Sequence, residues 1–199
     1  MNVLRKNLVM DLEIIDNFLP DYQFSQIQNI MMGPDFPWYY NDGIIKPDHP
    51  RGSYQFIHRF FTVRDSNPVK SGAFSLFEFC IGKLNARSLI RIKANLRPRT
   101  IFHRKSGYHT DFPENGTHKT AIFYINTNNG WTYFKKKGKV KSVANRMVTF
   151  PADMKHTGTS CTDQNTRIVI NFNYFYSMGD YKPEKFLATG TMDASEAKW

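Results

Sequence analysis

Disulfides, membrane spans and repeats are what this sequence lacks, and each absence removes a class of protein. Its 199 residues include two cysteines, Cys80 and Cys161, which form no CxxC spacing and cannot build a disulfide framework. No stretch approaches the roughly 18 consecutive apolar residues of a membrane-spanning helix. Acidic residues interrupt the N-terminal stretch, where a signal peptide stays apolar. We therefore expect a soluble, untargeted protein of a reducing compartment, the cytoplasm, without membrane contact.

Acidic residues are scarce as well. Asp and Glu number 17 against 27 Lys and Arg, so the formal net charge is +10 at pH 7. Such an excess fits a nucleic-acid partner, a preference for acidic substrates or a well-solvated surface, and we favour the last. Five lysines lie between positions 135 and 141 around Gly138, a pattern typical of a hairpin tip. These lysines are expected to protect the hairpin against edge-to-edge aggregation.

Hydrophobic residues are plentiful enough for one sizeable core. They form 41% of the chain and include 17 Phe and 10 Tyr, which excludes disorder for most of it. Periodicity predicts a strand over 9–18, helices over 22–32 and 69–90, and an ordered aromatic loop over 33–53. Four later segments read as strands: 89–96, 119–127, 146–150 and 166–175. The predicted fold class is mainly β, an antiparallel barrel or sandwich with supporting helices on one face.

His109 and Asp111 begin a candidate metal site. In an extended strand, positions i and i+2 point to the same side, so this pair presents an imidazole and a carboxylate together. His156, from a distant part of the chain, would add a second imidazole. Two nitrogens and one oxygen on one face, with the opposite positions open, suit non-haem Fe(II). An HxD pair also arises by chance, and a strand histidine is more often a hydrogen-bonded structural residue.

Arg167 opens a strongly β-like segment and is predicted to face the barrel interior together with Val169 and Asn171. A buried cation is costly unless an anion meets it. A dicarboxylate cosubstrate is one such anion, and a salt bridge to one of the chain's own acids at the barrel rim is the alternative. Beside three candidate metal ligands, we favour the dicarboxylate.

Further segments follow this pattern in a recognisable order. The strand 123–126 (Phe-Tyr-Ile-Asn) comes first, then the turn 129–134 (Asn-Gly-Trp-Thr-Tyr-Phe), then 148–151 (Val-Thr-Phe-Pro), His156 and Arg167. Over residues 88–176 the chain resembles the 2-oxoglutarate and Fe(II)-dependent dioxygenases, in particular small prolyl-4-hydroxylase-like members of microbes and phages. The resemblance implies a double-stranded β-helix, the jelly-roll or cupin-like barrel. It implies one oxygenase domain over 1–176, with supporting elements in 1–87, the catalytic barrel core in 88–176, and a C-terminal tail over 177–199.

The same resemblance implies roles for five residues. His109, Asp111 and His156 would be the iron ligands, and Arg167 with Tyr124 would bind the distal carboxylate of 2-oxoglutarate. The implied cofactors are Fe(II), the cosubstrate 2-oxoglutarate and O₂, with ascorbate as a further candidate. The implied reaction hydroxylates an unactivated C–H bond while 2-oxoglutarate is decarboxylated to succinate and CO₂. If the chain is phage-encoded, the reaction takes place in the host cytoplasm.

Asn95 and Arg97 lie where the chain departs from its relatives. Asn95 would hydrogen-bond either the cosubstrate or a barrel carbonyl. Several relatives have a tyrosine at the position of Arg97. An inward Arg97 would pair with the other carboxylate of the cosubstrate or with an acidic substrate, and an outward one would be surface charge. The paired glycines of the family's turn are reduced to Asn129 and Gly130, which alters hairpin geometry.

Three classes of function remain open for this barrel. A protein or peptide hydroxylase of prolyl-4-hydroxylase type is favoured, with Arg97, Trp131, Trp38 and Tyr40 as candidate substrate contacts. A nucleic-acid or nucleotide oxidase is the alternative, supported by the charge of +10 and the aromatic loop. The third class is a non-catalytic barrel that serves as a binding or structural module.

Overall fold

A computed structural model describes residues 12–43, 54–111 and 118–176 of the chain. Its helices are α1 (Asp21–Met32) and α2 (Glu78–Lys83), the second preceded by a 3-10 turn at Phe74–Phe77. The strands, in chain order, are β1 (Glu13–Ile15), β2 (Tyr39–Asp42), β3 (Tyr54–Arg64), β4 (Asn67–Lys70), β5 (Ala86–Pro98), β6 (His118–Tyr124), β7 (Trp131–Phe134), β8 (Gly138–Lys141), β9 (Arg146–Pro151), β10 (His156–Gly158) and β11 (Thr166–Tyr176).

The strands form two antiparallel sheets. The larger has eight strands in the order β1-β9-β6-β11-β5-β3-β2, with β4 paired to β3, and the smaller has three in the order β10-β7-β8. Long pairings such as β5 with β11 join parts of the chain that are far apart in sequence. The predicted class, a mainly β double-stranded β-helix with supporting helices, is confirmed.

The two faces of the large sheet pack against different layers. On one face, alternate residues of β5, β6 and β11 join α1 and α2 in the main hydrophobic core; Ile92, Phe123 and Phe172 are fully buried there. On the other face, Tyr124 packs with residues of the small sheet in a second cluster. Other side chains of that face line a cavity between the sheets. The period-two alternation of the strands therefore separates the core from the candidate site.

The helix predicted over 69–90 is wrong in extent. Strand β4 ends at Lys70, α2 covers only Glu78–Lys83, and β5 already begins at Ala86. A 3-10 turn followed by a short helix satisfies the same apolar spacing. Asn85, with a left-handed φ of 49°, then ends the helical segment. Helix α1 is confirmed, although Ile30 of its predicted apolar stripe is exposed.

Strand β3 was not predicted, although it is one of the longest in the fold. Its pairing with β5 contains a bulge between Arg59 and Phe61, so that Phe60 and Phe61 are both buried. A bulge breaks the alternation on which a strand prediction rests. Of the strand predicted over 9–18, the described part forms only β1, and residues 9–11 lie outside the described ranges.

The two cysteines, which were not expected to form a disulfide framework, are Cys80 and Cys161, and both are free and buried. Neither α1 nor α2, the α-helices within the described ranges, has the length and apolar character needed to cross a membrane. The division of the domain at residue 88 remains a prediction, and the tail predicted over 177–199 lies outside the described residues.

Candidate metal centre and cosubstrate cavity

The three candidate ligands are held together by backbone pairing. The His109 amide donates to the His156 carbonyl at 3.0 Å and the His156 amide donates back at 2.9 Å. The Asp111 amide donates to the carbonyl of Ala152 at 3.1 Å. This short ladder brings one ligand atom from each of His109, Asp111 and His156 within 4.8 Å of the others. The predicted trio therefore meets at one point of the cavity wall.

Asp111 is oriented by a network of donors. Thr120 Oγ1 and Asn173 Nδ2 donate to its Oδ2 at 2.8 and 2.9 Å, and Arg91 Nη2 lies 3.6 Å from its Oδ1. Burial acts to raise the pKa of Asp111, but His156, Arg91 and the two hydrogen bonds outweigh it and hold that pKa below its ordinary value. The carboxylate is therefore ionised at neutral pH, as a metal ligand must be.

The hydrogen bonding and burial of the two imidazoles suit them to metal binding. His156 Nδ1 lies 3.0 Å from the Met154 carbonyl, which can only accept, so Nδ1 carries a proton and Nε2 is the ring nitrogen left for a metal. Phe150 meets the His156 ring edge-on at 4.8 Å between ring centroids. His109 Nδ1 is buried and makes no hydrogen bond of good geometry to a described residue. Burial and His156 lower the pKa of His109, which favours the neutral, ligating form. The donor set fits a divalent metal such as Fe(II).

Arg167 lies at one end of the cavity, almost completely buried. Its Nε donates to Ser142 Oγ at 2.7 Å and its Nη2 to Thr132 Oγ1 at 3.0 Å. No carboxylate of a described residue forms a salt bridge with it. Burial lowers the pKa of its guanidinium, yet an arginine stays charged in a protein. An anion from outside the chain is the natural partner of this charge.

Thr132 links Arg167 to Tyr124. The Tyr124 hydroxyl donates to Thr132 Oγ1 at 2.8 Å, and Arg167 donates to the same oxygen. With both lone pairs of Thr132 occupied, its own O–H remains as a donor, and Thr132 lines the cavity. Tyr124 is not part of the described cavity lining, so its hydroxyl reaches the cavity only through its hydrogen bond to Thr132. The centroid of its ring lies 5.6 Å from the guanidinium carbon of Arg167.

Gly130 is required by the position of Arg167. A Cβ at Gly130 would lie 2.7 Å from Cδ of Arg167 and 2.8 Å from Oδ1 of Asn128. Both distances are shorter than any normal contact, so a side chain here would displace the arginine. In the turn at Asn129 and Gly130, the absence of a side chain at Gly130 therefore leaves the space that Arg167 occupies.

Known proteins match this chain in structure. No family model and no curated protein matches the sequence. A prolyl hydroxylase from Trichoplax adhaerens, in complex with a hypoxia inducible factor oxygen degradation domain peptide fragment, aligns with a TM-score of 0.55 at 18% identity, over 82% of this chain and 83% of its own. A 2OG-Fe(II) oxygenase family oxidoreductase from Burkholderia pseudomallei gives 0.60 at 9% identity, over 82% and 84%. A Pseudomonas putida prolyl-4-hydroxylase gives 0.56 at 12% identity, over 84% and 94%.

This chain has the fold of the 2OG-Fe(II) oxygenases. The resemblance noted in the sequence is therefore confirmed at the level of the fold. In this oxygenase fold, the predicted metal ligands and Arg167 occupy the wall of one cavity between the two sheets.

Arg97 points inward, which decides between its two predicted orientations. It stands opposite Arg167 in the pairing of β5 with β11 and lines the cavity. It donates to Ser106 Oγ at 2.7 Å and to the carbonyls of Gly158 and Arg104 at 3.1 and 3.0 Å. Burial and the charge of Arg167 lower the pKa of Arg97 to about 10. Asn95 also lines the cavity, with its Nδ2 3.4 Å from Asn171 Oδ1.

The other predicted substrate contacts lie away from the cavity. The Trp38 indole donates to the Met31 carbonyl and packs against the core on the helix side. Tyr40 is exposed on β2, where it contacts Tyr54. The Trp131 ring contacts the tilted ring of His103, with centroids 4.3 Å apart, outside the cavity lining. That these three aromatics contact a substrate remains a prediction.

Sequence reasoning missed several cavity residues. Arg91, Lys93 and Gln55 all line the cavity. The signal for Arg91 and Lys93 was the segment Arg-Ile-Lys-Ala-Asn-Leu-Arg over 91–97, where polar and apolar residues alternate strictly. The polar face of such a strand is normally solvent-exposed, and only the second sheet turns it into an interior wall. His58 lies outside the cavity lining, as a buried residue of β3 whose Nε2 is hydrogen-bonded to Ser71 Oγ.

Proposed function

We propose that this protein is an Fe(II)- and 2-oxoglutarate-dependent dioxygenase that hydroxylates an unactivated C–H bond. One observation carries the proposal. Two imidazoles and a carboxylate lie within 4.8 Å of one another in the same cavity as Arg167, a buried cation without a described counter-anion. A metal ligand set and an anion site so close together match a metal-chelating dicarboxylate.

The chain's own residues hold and orient the reactants. His109, Asp111 and His156 would hold iron, while Arg167 and the Thr132 hydroxyl would hold the distal carboxylate of 2-oxoglutarate. Phe150 and neighbouring apolar groups shield the His156 side of the site from water. Bound Fe(II) would supply the oxidation, in which O₂ and 2-oxoglutarate yield succinate, CO₂ and a hydroxylated substrate. Ascorbate would keep the metal reduced.

A protein or peptide is the proposed prime substrate. The Trichoplax adhaerens neighbour is a prolyl hydroxylase seen with a bound peptide fragment, and a second neighbour is a prolyl-4-hydroxylase. The free, buried thiols of Cys80 and Cys161 fit the cytoplasm as the compartment.

A nucleic-acid substrate is the second candidate. On the outer face of β7, Lys139 lies 4.9 Å from the ring centroid of Trp131, and Lys105 lies 4.5 Å from that of Tyr133. Rings interleaved with cations suit bases and phosphates. Binding of an oligonucleotide through this face would weaken steeply with salt, whereas peptide binding in the cavity would not.

The test is iron-dependent turnover. Purified protein with Fe(II), 2-oxoglutarate and O₂ should release succinate, faster when a proline-containing peptide substrate is present, and His156→Ala should release none. Absence of iron-dependent succinate from a folded wild-type sample, across peptide and oligonucleotide panels, would favour the non-catalytic barrel instead.

A further inference from the structure

Strand β5 lays a row of polar side chains along the cavity. Arg91, Lys93, Asn95 and Arg97 all line it, while the residues between them pack toward the helices. Arg167 on β11 stands opposite Arg97 in the strand register. The described lining thus holds four cations that are not histidines.

The negative charge of the described lining is far smaller. Asp111 is its single carboxylate, so the wall carries a surplus of three positive charges. A divalent metal adds two positive charges and a bound 2-oxoglutarate removes two, so the surplus remains. A surplus of this size in a partly buried cavity favours a second anionic ligand.

Lys93 is the cation of this group without a partner. Arg91, Arg97 and Arg167 each donate hydrogen bonds to described residues. Lys93, half-buried, makes no hydrogen bond or ion pair with any residue of the described ranges. Burial and the neighbouring charge of Arg91 lower the pKa of Lys93 to about 8, which an anionic ligand would reverse.

Backbone spacing separates Lys93 from the end of the cavity that Arg167 occupies. Lys93 pairs with Asn171, four residues from the row formed by Arg97 and Arg167. Four residues span roughly 13 Å at ~3.3 Å each. The terminal carbons of a five-carbon diacid are only about 5 Å apart at ~1.5 Å per bond. Lys93 instead lies toward Arg91 and Asp111, at the opposite end of the cavity.

The cavity lining also limits the skeleton of that ligand. Apart from the two candidate histidine ligands, no aromatic ring lines the described cavity, and its apolar contacts are Ile122 and Val169. A nucleobase extruded into a site is normally stacked between aromatic or apolar side chains. Gln55, Asn95 and Asn171 instead offer amide groups between the cations, which suit carboxylates and peptide groups.

We infer that Lys93 binds a carboxylate on an aliphatic prime substrate, so that the enzyme selects an acidic side chain of a peptide or a small aliphatic acid. This inference rests on the proposed function, because it takes the Arg167 end of the cavity to be filled by 2-oxoglutarate. Lys93 is then a specificity-determining residue with no part in binding the metal.

The test compares acids with their amides on the complex with Fe(II) and saturating 2-oxoglutarate, without oxygen. The probes are butyrate with butyramide, and a blocked tripeptide with aspartate between two prolines with its asparagine counterpart. Dissociation constants are measured by calorimetry for wild type, Lys93→Met, Lys93→Arg and Lys70→Met. Lys70, exposed on β4, is the matched control.

At least one acid should bind wild type and Lys70→Met at least tenfold more tightly than its amide does. Lys93→Met should remove that preference, and Lys93→Arg should retain much of it. The pair that responds distinguishes an acidic peptide from a small acid. Equal binding of acid and amide, no binding of either acid at millimolar concentration, a preference that survives Lys93→Met, or tighter Lys93-dependent binding of adenosine monophosphate would each overturn the inference.

The charge-transfer band of Fe(II) with 2-oxoglutarate is recorded first in every sample. If wild type and Lys93→Met both show the band but no acid preference exists, only the inference fails. If wild type shows no band, the proposed function fails and the inference fails with it.

Discussion

The two faces of the large sheet are built from the same strands and differ in charge, packing and purpose. On the helix face, β5, β6 and β11 present Ile92, Phe123 and Phe172, all fully buried among apolar neighbours. On the cavity face, the same strands present Lys93 and Arg167, whose burial opposes folding. Because side chains alternate, one strand can stabilise the fold and carry a reactive site without compromise in spacing.

This contrast predicts that substitutions on the two faces affect different measurements. Changes on the helix face should alter the free energy of unfolding and leave ligand affinity per folded molecule unchanged. Changes on the cavity face should alter ligand affinity and leave the free energy of unfolding nearly unchanged, because polar groups held there without full compensation contribute little to stability.

The largest effect on stability is expected for Phe123→Ala. Phe123 is fully buried and packs edge-to-face on Phe18 and Phe24, with ring centroids 5.9 and 5.8 Å apart. Its truncation should lower the free energy of unfolding by about 3–5 kcal/mol in urea denaturation. The folded fraction should still bind 2-oxoglutarate with wild-type affinity. Loss of affinity without loss of stability would contradict the separation of the faces.

Arg167→Met should weaken the binding of 2-oxoglutarate without lowering the stability of the fold. Loss of the charge-assisted contacts should raise the Kd for 2-oxoglutarate on the order of a hundredfold, about 2.8 kcal/mol. Without ligand, the variant should be as stable as wild type or more so, because a buried cation without a counter-anion is removed. Calorimetry and urea unfolding measure the two quantities, with exposed Arg64→Met as control. An unchanged Kd together with marked destabilisation would make Arg167 a structural residue.

Gly130→Ala tests the close approach beside Arg167. The added methyl group would overlap Cδ of that arginine, so the guanidinium must shift and the Kd for 2-oxoglutarate should rise about tenfold. Gly72→Ala, where an added Cβ meets nothing within 4 Å, should leave the Kd unchanged. Equal effects of the two substitutions would show that the turn tolerates a side chain.

The smallest effect concerns a partly exposed ion pair at the start of β9. Arg146 hydrogen-bonds Asp16 and lowers its pKa, and most of the Asp16 side chain is exposed. Asp16→Asn should cost only about 0.2–1 kcal/mol at pH 7. A lowered carboxyl pKa stabilises above the unfolded value, near 3.9, and this contribution is lost as pH falls through the folded value. The difference between variant and wild type in urea unfolding should therefore disappear once the pH lies below the lowered pKa of Asp16.

Much of this architecture could be predicted from local pattern. The stripe of Phe24, Ile27 and Met31 predicted α1, and four apolar segments predicted β5, β6, β9 and β11. The spacing of His109 and Asp111 predicted half of a metal site, because strand geometry places i and i+2 together. Their meeting with His156 follows from the resemblance, since no local rule relates residues so far apart in the chain.

The rest depended on tertiary pairing. The bulge in β3 concealed that strand, and the direction of Arg97 depended on which face of β5 meets the second sheet. Lys93 was missed for the same reason, because an alternating polar face looks like a solvent-exposed one until another sheet covers it. Burial is a property of the assembled sheets, which the sequence of one strand does not contain.

The central claim is that His109, Asp111 and His156 hold Fe(II) beside a 2-oxoglutarate site. Fe(II) is titrated without oxygen into wild type, His156→Ala and His103→Ala, each with 2-oxoglutarate, while the metal-to-ligand charge-transfer band is recorded. His103 lies outside the cavity lining and serves as the matched histidine control. The account predicts a saturable band in wild type and His103→Ala and none in His156→Ala. A folded wild-type protein without the band, or a band that persists in His156→Ala, would contradict it.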